Sequence, residues 1–183
     1  MVKKLLLPAI VLVLAVSAYA DGNFFSLAET GTPVQVREAI RAGAQVNARD
    51  ELGATPLMWA AAGNVNTEVI TLLLKAGADA NARDDYSLTP LIWAVMGSTD
   101  SKLITVLLKA GADINAGTNS GMTPLMYAAW FNENPEMITL LLKSGADPKS
   151  RDSEGKTALD YIKKNPAVMG TDAYKALLDA VNR

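Results

Sequence analysis

The chain writes one phrase at a fixed interval, and that interval constrains its folding more than any other feature. Thr55 opens TPLMWAAAGN, Thr89 opens TPLIWAVMGS and Thr123 opens TPLMYAAWFN; Thr157 starts a fourth, altered copy, each threonine 34 residues from the last. A second landmark keeps the same time. Gly43, Gly77, Gly111 and Gly145 are also 34 apart, each followed by alanine. A unit of this length cannot bury its apolar face by itself, so successive units must stack on one another.

Each part of the unit has a mechanical reading. Threonine before proline is a helix start. Its hydroxyl can accept a backbone N–H, and proline at the first helical position loses no needed donor. Leu57, Ala60 and Ala61 then share one face of a short helix, and the alanines let a neighbouring helix come close. A polar turn follows, in which Asn66, Asp100 and Asn134 are each placed to cap a second helix. That helix reads EVITLLLKAG, KLITVLLKAG or EMITLLLKSG, with apolar residues at helical spacing. Lys75, Lys109 and Lys143 stand in its last turn, where the helix dipole favours a cation. The glycines after them suit the left-handed residue that ends a helix. About ten residues rich in Asn and Asp then lead to the next threonine, a composition that predicts a projecting turn.

This unit resembles the ankyrin repeat. The resemblance runs from about Phe24 to Val181, in five copies, of which the central three match closely. It implies an all-α, ankyrin-repeat solenoid of helix-turn-helix units joined by β-turns or short hairpins, with repeats at about 23–50, 51–84, 85–118, 119–152 and 153–183. The first copy lacks the Thr-Pro start, and the last has Ala158 for proline. Atypical end units suit a stack, whose ends must each show water a polar face. Two features depart from the family pattern. The period is 34 instead of 33, with the extra residue in the turn between helices. The fourth letter, usually a histidine that ties neighbouring turns, is Met58, Ile92 or Met126, which reads as a packing choice.

The first twenty residues, MVKKLLLPAIVLVLAVSAYA, have the three parts of a secretory signal: Lys3 and Lys4, an apolar run, and Ala18-Tyr19-Ala20 before the cut. The expectation is removal of residues 1–20, leaving 21–183 as an exported protein, periplasmic or secreted, with no membrane attachment. The apolar run is short of the roughly 20 residues that a membrane span needs. Of 17 basic and 19 acidic residues, the signal takes two lysines and no acid, so the remainder has a net charge of −4. That balance argues against nucleic acid, which needs a basic face. Cysteine and histidine are both absent, which rules out Ser-His and Cys-His nucleophiles and Cys/His zinc sites.

Carboxylates recur as Asp79, Asp113 and Asp147, and again as Asp50, Asp84 and Asp152. One acid per turn reads as turn hydrogen bonding, against the alternative of calcium binding or a carboxylate hydrolase. Trp59, Trp93 and Tyr127 share one repeat position, either packed between repeats or forming a partly exposed ladder. No catalytic residue, cofactor or metal is expected. The resemblance implies a non-catalytic module, monomeric by itself, that captures another protein on its concave face. A secreted effector that binds a host protein is the alternative. Turn tips and the late part of each first helix face that side in the family. Those positions here include Leu52, Tyr86, Leu88, Met96, Met122, Trp130 and Phe131, the expected binding residues.

Overall fold

The computed structural model describes residues 23–63 and 66–182. The signal segment, its cleavage point at Asp21 and residues 64–65, in the turn within the second helix pair, lie outside the described residues. Ten helices occur among the described residues, in five pairs: α1 (Asn23–Thr30) with α2 (Pro33–Arg41), α3 (Pro56–Gly63) with α4 (Thr67–Lys75), α5 (Pro90–Gly97) with α6 (Ser101–Lys109), α7 (Pro124–Phe131) with α8 (Pro135–Lys143), and α9 (Ala158–Ile162) with α10 (Asp172–Asn182). No strand occurs among the described residues. The principal packing is between nearest neighbours. First helices stack in the order α1, α3, α5, α7, α9, second helices in the order α2, α4, α6, α8, α10, and each pair packs internally. This is a solenoid.

The second helices begin where their caps say. The side chains of Asn66, Asp100 and Asn134 accept the backbone N–H groups of Glu68, Lys102 and Glu136. They end at Gly77, Gly111 and Gly145, with φ of +93°, +86° and +99°. The threonine starts behave differently. Of the three that open the repeated phrase, Thr89 accepts a helical N–H, that of Ile92 at 3.4 Å, while the Thr55 and Thr123 hydroxyls are buried without a partner. The apolar fourth letter is not by itself the reason, since Ile92 is as buried as the two methionines and Thr89 is still bonded. Met58 and Met126 are fully buried, and the Thr55 amide points at the Met58 sulfur at 3.3 Å. The packing reading of the fourth letter stands: Met58, Ile92 and Met126 are all buried in the core.

Leucine, isoleucine, valine and alanine from both rows of helices form one continuous core. The first helices approach most closely where side chains vanish. A Cβ on Gly97 would lie 2.5 Å from the Ala62 carbonyl oxygen and 2.6 Å from its Cα. A smaller cluster of Ala54, Met58 and Ala82 lies beside Trp59 and Trp93.

Candidate protein-binding face

Each link between repeats projects as a hydrogen-bonded finger, closed by one backbone bond. Asp50 N–H donates to Ala54 O, Asp84 to Leu88, Thr118 to Met122 and Asp152 to Lys156, at 3.0, 3.1, 3.1 and 3.0 Å. Gly53, Gly121 and Gly155 take the positive φ that the turn needs; Ser87 takes it in the second finger, at +61°.

Adjacent fingers are joined sideways. Asp85 N–H donates to Leu52 O, Asn119 to Tyr86 O and Ser153 to Ser120 O. The Arg49 guanidinium donates to the Arg83 carbonyl, and Arg83 to that of Gly117 at 2.8 Å. At the finger bases an asparagine ladder runs through the stack. The Asn47, Asn81 and Asn115 amides donate to the carbonyls of Gly77, Gly111 and Gly145 and accept from the N–H groups of Asp79, Asp113 and Asp147.

The carboxylate series that begins with Asp50 does more than close turns. Asp50 Oδ1 accepts from Leu52 and Ala54 N–H, and its Oδ2 accepts from Trp59 Nε1 at 2.8 Å. Asp84 repeats this with Tyr86, Leu88 and Trp93. Asp152 repeats it with Glu154, Lys156 and the Tyr161 hydroxyl. Each carboxylate therefore bolts a finger to the helix after it. Burial pushes the Asp152 carboxyl up, but the bonds from Tyr161, Lys156 and Glu154 outweigh it and hold it below its ordinary value. The Tyr161 phenol is pushed up by burial and by the Asp152 carboxylate.

Trp59, Trp93 and Tyr127 are half-buried. The Trp59 and Trp93 rings lie 5.6 Å apart. The ladder has a fourth rung, Tyr161, which sequence reasoning left out. The signal was present: Asp50 and Trp59, Asp84 and Trp93, and Asp152 and Tyr161 are each nine residues apart.

Leu52, Tyr86, Met96, Trp130 and Phe131 are exposed. Leu88 and Met122 are not. Leu88 is half-buried, and Met122 is 6% exposed and packed in the main core. Both immediately precede the buried threonine of a first helix, so the chain is already turning inward, and Met122 leaves the set of residues able to anchor a partner. Trp130 and Phe131 stack 4.4 Å apart; Trp130 also stacks on Tyr161 at 5.0 Å, and Phe131 on Tyr127 at 6.2 Å. On the opposite side, clefts run between α6, α8 and α10, lined by Thr105, Thr139 and Lys143 and by no aromatic side chain. Among the described residues no three acids gather as metal ligands would, and no helix is long and apolar enough to cross a membrane.

No curated protein matches this sequence. The family model described as ankyrin repeats (3 copies) matches residues 24–118, 66–152 and 98–181, nearly the whole described chain. The chain therefore belongs to the ankyrin-repeat family, whose members are protein-interaction modules.

Proposed function

We propose that this protein captures a partner protein on the concave face made by its fingers and first helices, without catalysis, and that it does so after export to the periplasm or the medium. The observation that carries the reading is the aromatic cluster on α7. Trp130 and Phe131 are exposed yet stacked with Tyr127 and Tyr161, so they are held in place and open to a partner. Rigid aromatic anchors lose little conformational freedom on binding and dominate interface energetics. Tyr86 and Leu52 at the finger tips extend the apolar surface along the stack. The Lys-apolar-Ala-Tyr-Ala order of the first twenty residues supports export.

The test has two arms. Cross-linking in intact cells, followed by mass spectrometry of the captured species, identifies the partner. Tyr86→Ser with Trp130→Gln then weakens binding of that purified partner by at least about 2 kcal/mol, the hot-spot scale, while the protein still folds cooperatively, its stability lowered only by the lost ring stacking, about 1–2 kcal/mol. Intact binding would place the interface elsewhere. N-terminal sequencing of the exported protein checks that it starts at Asp21.

A further inference from the structure

The four fingers are internal controls for one another, and one of them is built differently. In the first, second and fourth, arginine and aspartate stand together as Arg49-Asp50, Arg83-Asp84 and Arg151-Asp152; in the third the pair is Gly117-Thr118. The change removes the finger's own carboxylate and its own outgoing guanidinium, and leaves it one charged bond, received from Arg83 at the Gly117 carbonyl. Arg49 and Arg83 each donate to the next finger, whereas Gly117 has nothing to donate with. Each aspartate accepts two finger N–H groups and one aromatic tip. Thr118 Oγ1 accepts the Met122 N–H at 3.2 Å, pairs with the Ser120 hydroxyl at 3.1 Å and meets the Tyr127 hydroxyl, in each case as a neutral group. Hydrogen bonds to a charged acceptor are worth about twice those between neutral groups.

We propose that the third finger, residues 113–122, is a compliant element of the concave face. It rocks on the first helix beneath it, while the other three fingers are bolted down. Its sideways bonds are intact, the Arg83 guanidinium donating to the Gly117 carbonyl and the Ser87 hydroxyl to the Asn119 side chain. Asn119 donates to the Tyr86 and Asp85 carbonyls, and Ser120 accepts from Ser153. The freedom is therefore a change of angle about Tyr127 and not detachment from the stack. Tyr127 stacks on Phe131, so the finger's movement reaches the exposed aromatic cluster directly. This rests on the proposed use of that face: the finger is the part of it able to adjust to what is captured there. The opening itself needs no partner to be measured.

Amide hydrogen exchange on the full exported chain tests it. The probe is the closing bond, whose N–H belongs to Asp50, Asp84, Thr118 and Asp152 and whose length is 3.0–3.1 Å in all four fingers. Static geometry thus gives no reason for a difference. Fraying from the ends would make the first and fourth fingers the least protected. The proposal puts the least protection in the third, an interior finger, with a protection factor about tenfold below that of Asp84, as expected for exchanging a charged acceptor for a neutral one. Thr118→Asp raises protection there by about the same factor, and Asp84→Thr lowers it in the second finger. Equal protection at all four sites, or least protection at the ends, overturns the proposal. So does a Thr118→Asp variant whose third finger exchanges as before. If Thr118→Asp does not fold, Asp84→Thr alone decides: no loss of protection in the second finger refutes the role of the carboxylate. Because no partner is present, these results stand apart from any outcome of the capture experiment.

Discussion

Replacing Asp84 with alanine removes an acceptor of three hydrogen bonds. Tyr86 N–H donates to it at 2.9 Å, Leu88 N–H at 2.8 Å and Trp93 Nε1 at 3.0 Å. All three bonds are partly buried, so each orphaned donor regains some water, and a cost near the low end of the range applies, about 1 kcal/mol each and about 3 kcal/mol together. Asp84→Asn separates the two tasks of the carboxylate. Its amide oxygen still serves the finger, but its NH2 group faces the Trp93 N–H donor to donor, which leaves a loss of about 1–2 kcal/mol. Trp93→Phe removes the other half of that bond, and the Asp84→Asn, Trp93→Phe cycle should give a coupling of about 1 kcal/mol. Urea unfolding followed by far-UV circular dichroism measures the parent and the four variants. Slopes must be compared as well as midpoints, because a repeat stack can lose two-state behaviour when one joint is weakened. An Asp84→Ala protein within about 0.5 kcal/mol of the parent, or an Asn variant no better than the Ala variant, would refute the bolt.

Two glycines should fail for different reasons. Gly97→Ala costs about 1–3 kcal/mol because its Cβ would collide with the Ala62 backbone. Gly111→Val has open space around its Cβ, so its cost of about 1–2 kcal/mol is that of the left-handed backbone alone; thermal melts of both variants show it. Ser87→Gly should stabilise the protein by about 0.5 kcal/mol: relief of positive φ gains about 1 kcal/mol, and losing the exposed Ser87 bond to Asn119 returns part of it. Acid should loosen the last repeat. The Thr157 amide and hydroxyl hold the Asp160 carboxyl low, and Asp152 is also held low. A depressed carboxyl stabilises the fold above its unfolded pKa of about 4 and loses that contribution as pH falls through its folded value. Amide exchange around α9 and its finger should therefore quicken between about pH 4 and pH 2, and unchanged protection would refute it.

The parts of the fold set by single residues against the local backbone were legible in the sequence. Asn66, Asp100 and Asn134 cap because their short side chains reach the helix they precede, and Gly111 ends a helix because its backbone is left-handed. Interactions that cross a repeat boundary were harder to read. Thr55 and Thr123 look like caps when judged by neighbours in sequence, yet their hydroxyls lie buried beside an apolar fourth letter. Met122 looks like a finger residue by position, but its side chain turns into the core. The aspartates were read as turn formers, which they are, while their second oxygens reach a helix nine residues on.

The asparagine ladder bears on how such a chain can change length. Its bonds join residues 30 and 32 apart, Asn81 to Gly111 and to Asp113 for example, and the arginine bonds join residues 34 apart. Insertion of one complete 34-residue unit in the interior leaves the same donor facing the same acceptor on both sides of the join. Insertion of a single residue within a finger puts every such bond there out of step. Growth at the far end is different. Lys149 stands where Asn47, Asn81 and Asn115 stand in the earlier copies, and it has no amide carbonyl to accept the next backbone N–H. The chain can be edited by whole units from within, and the identity of one residue, Lys149, marks where the asparagine ladder stops.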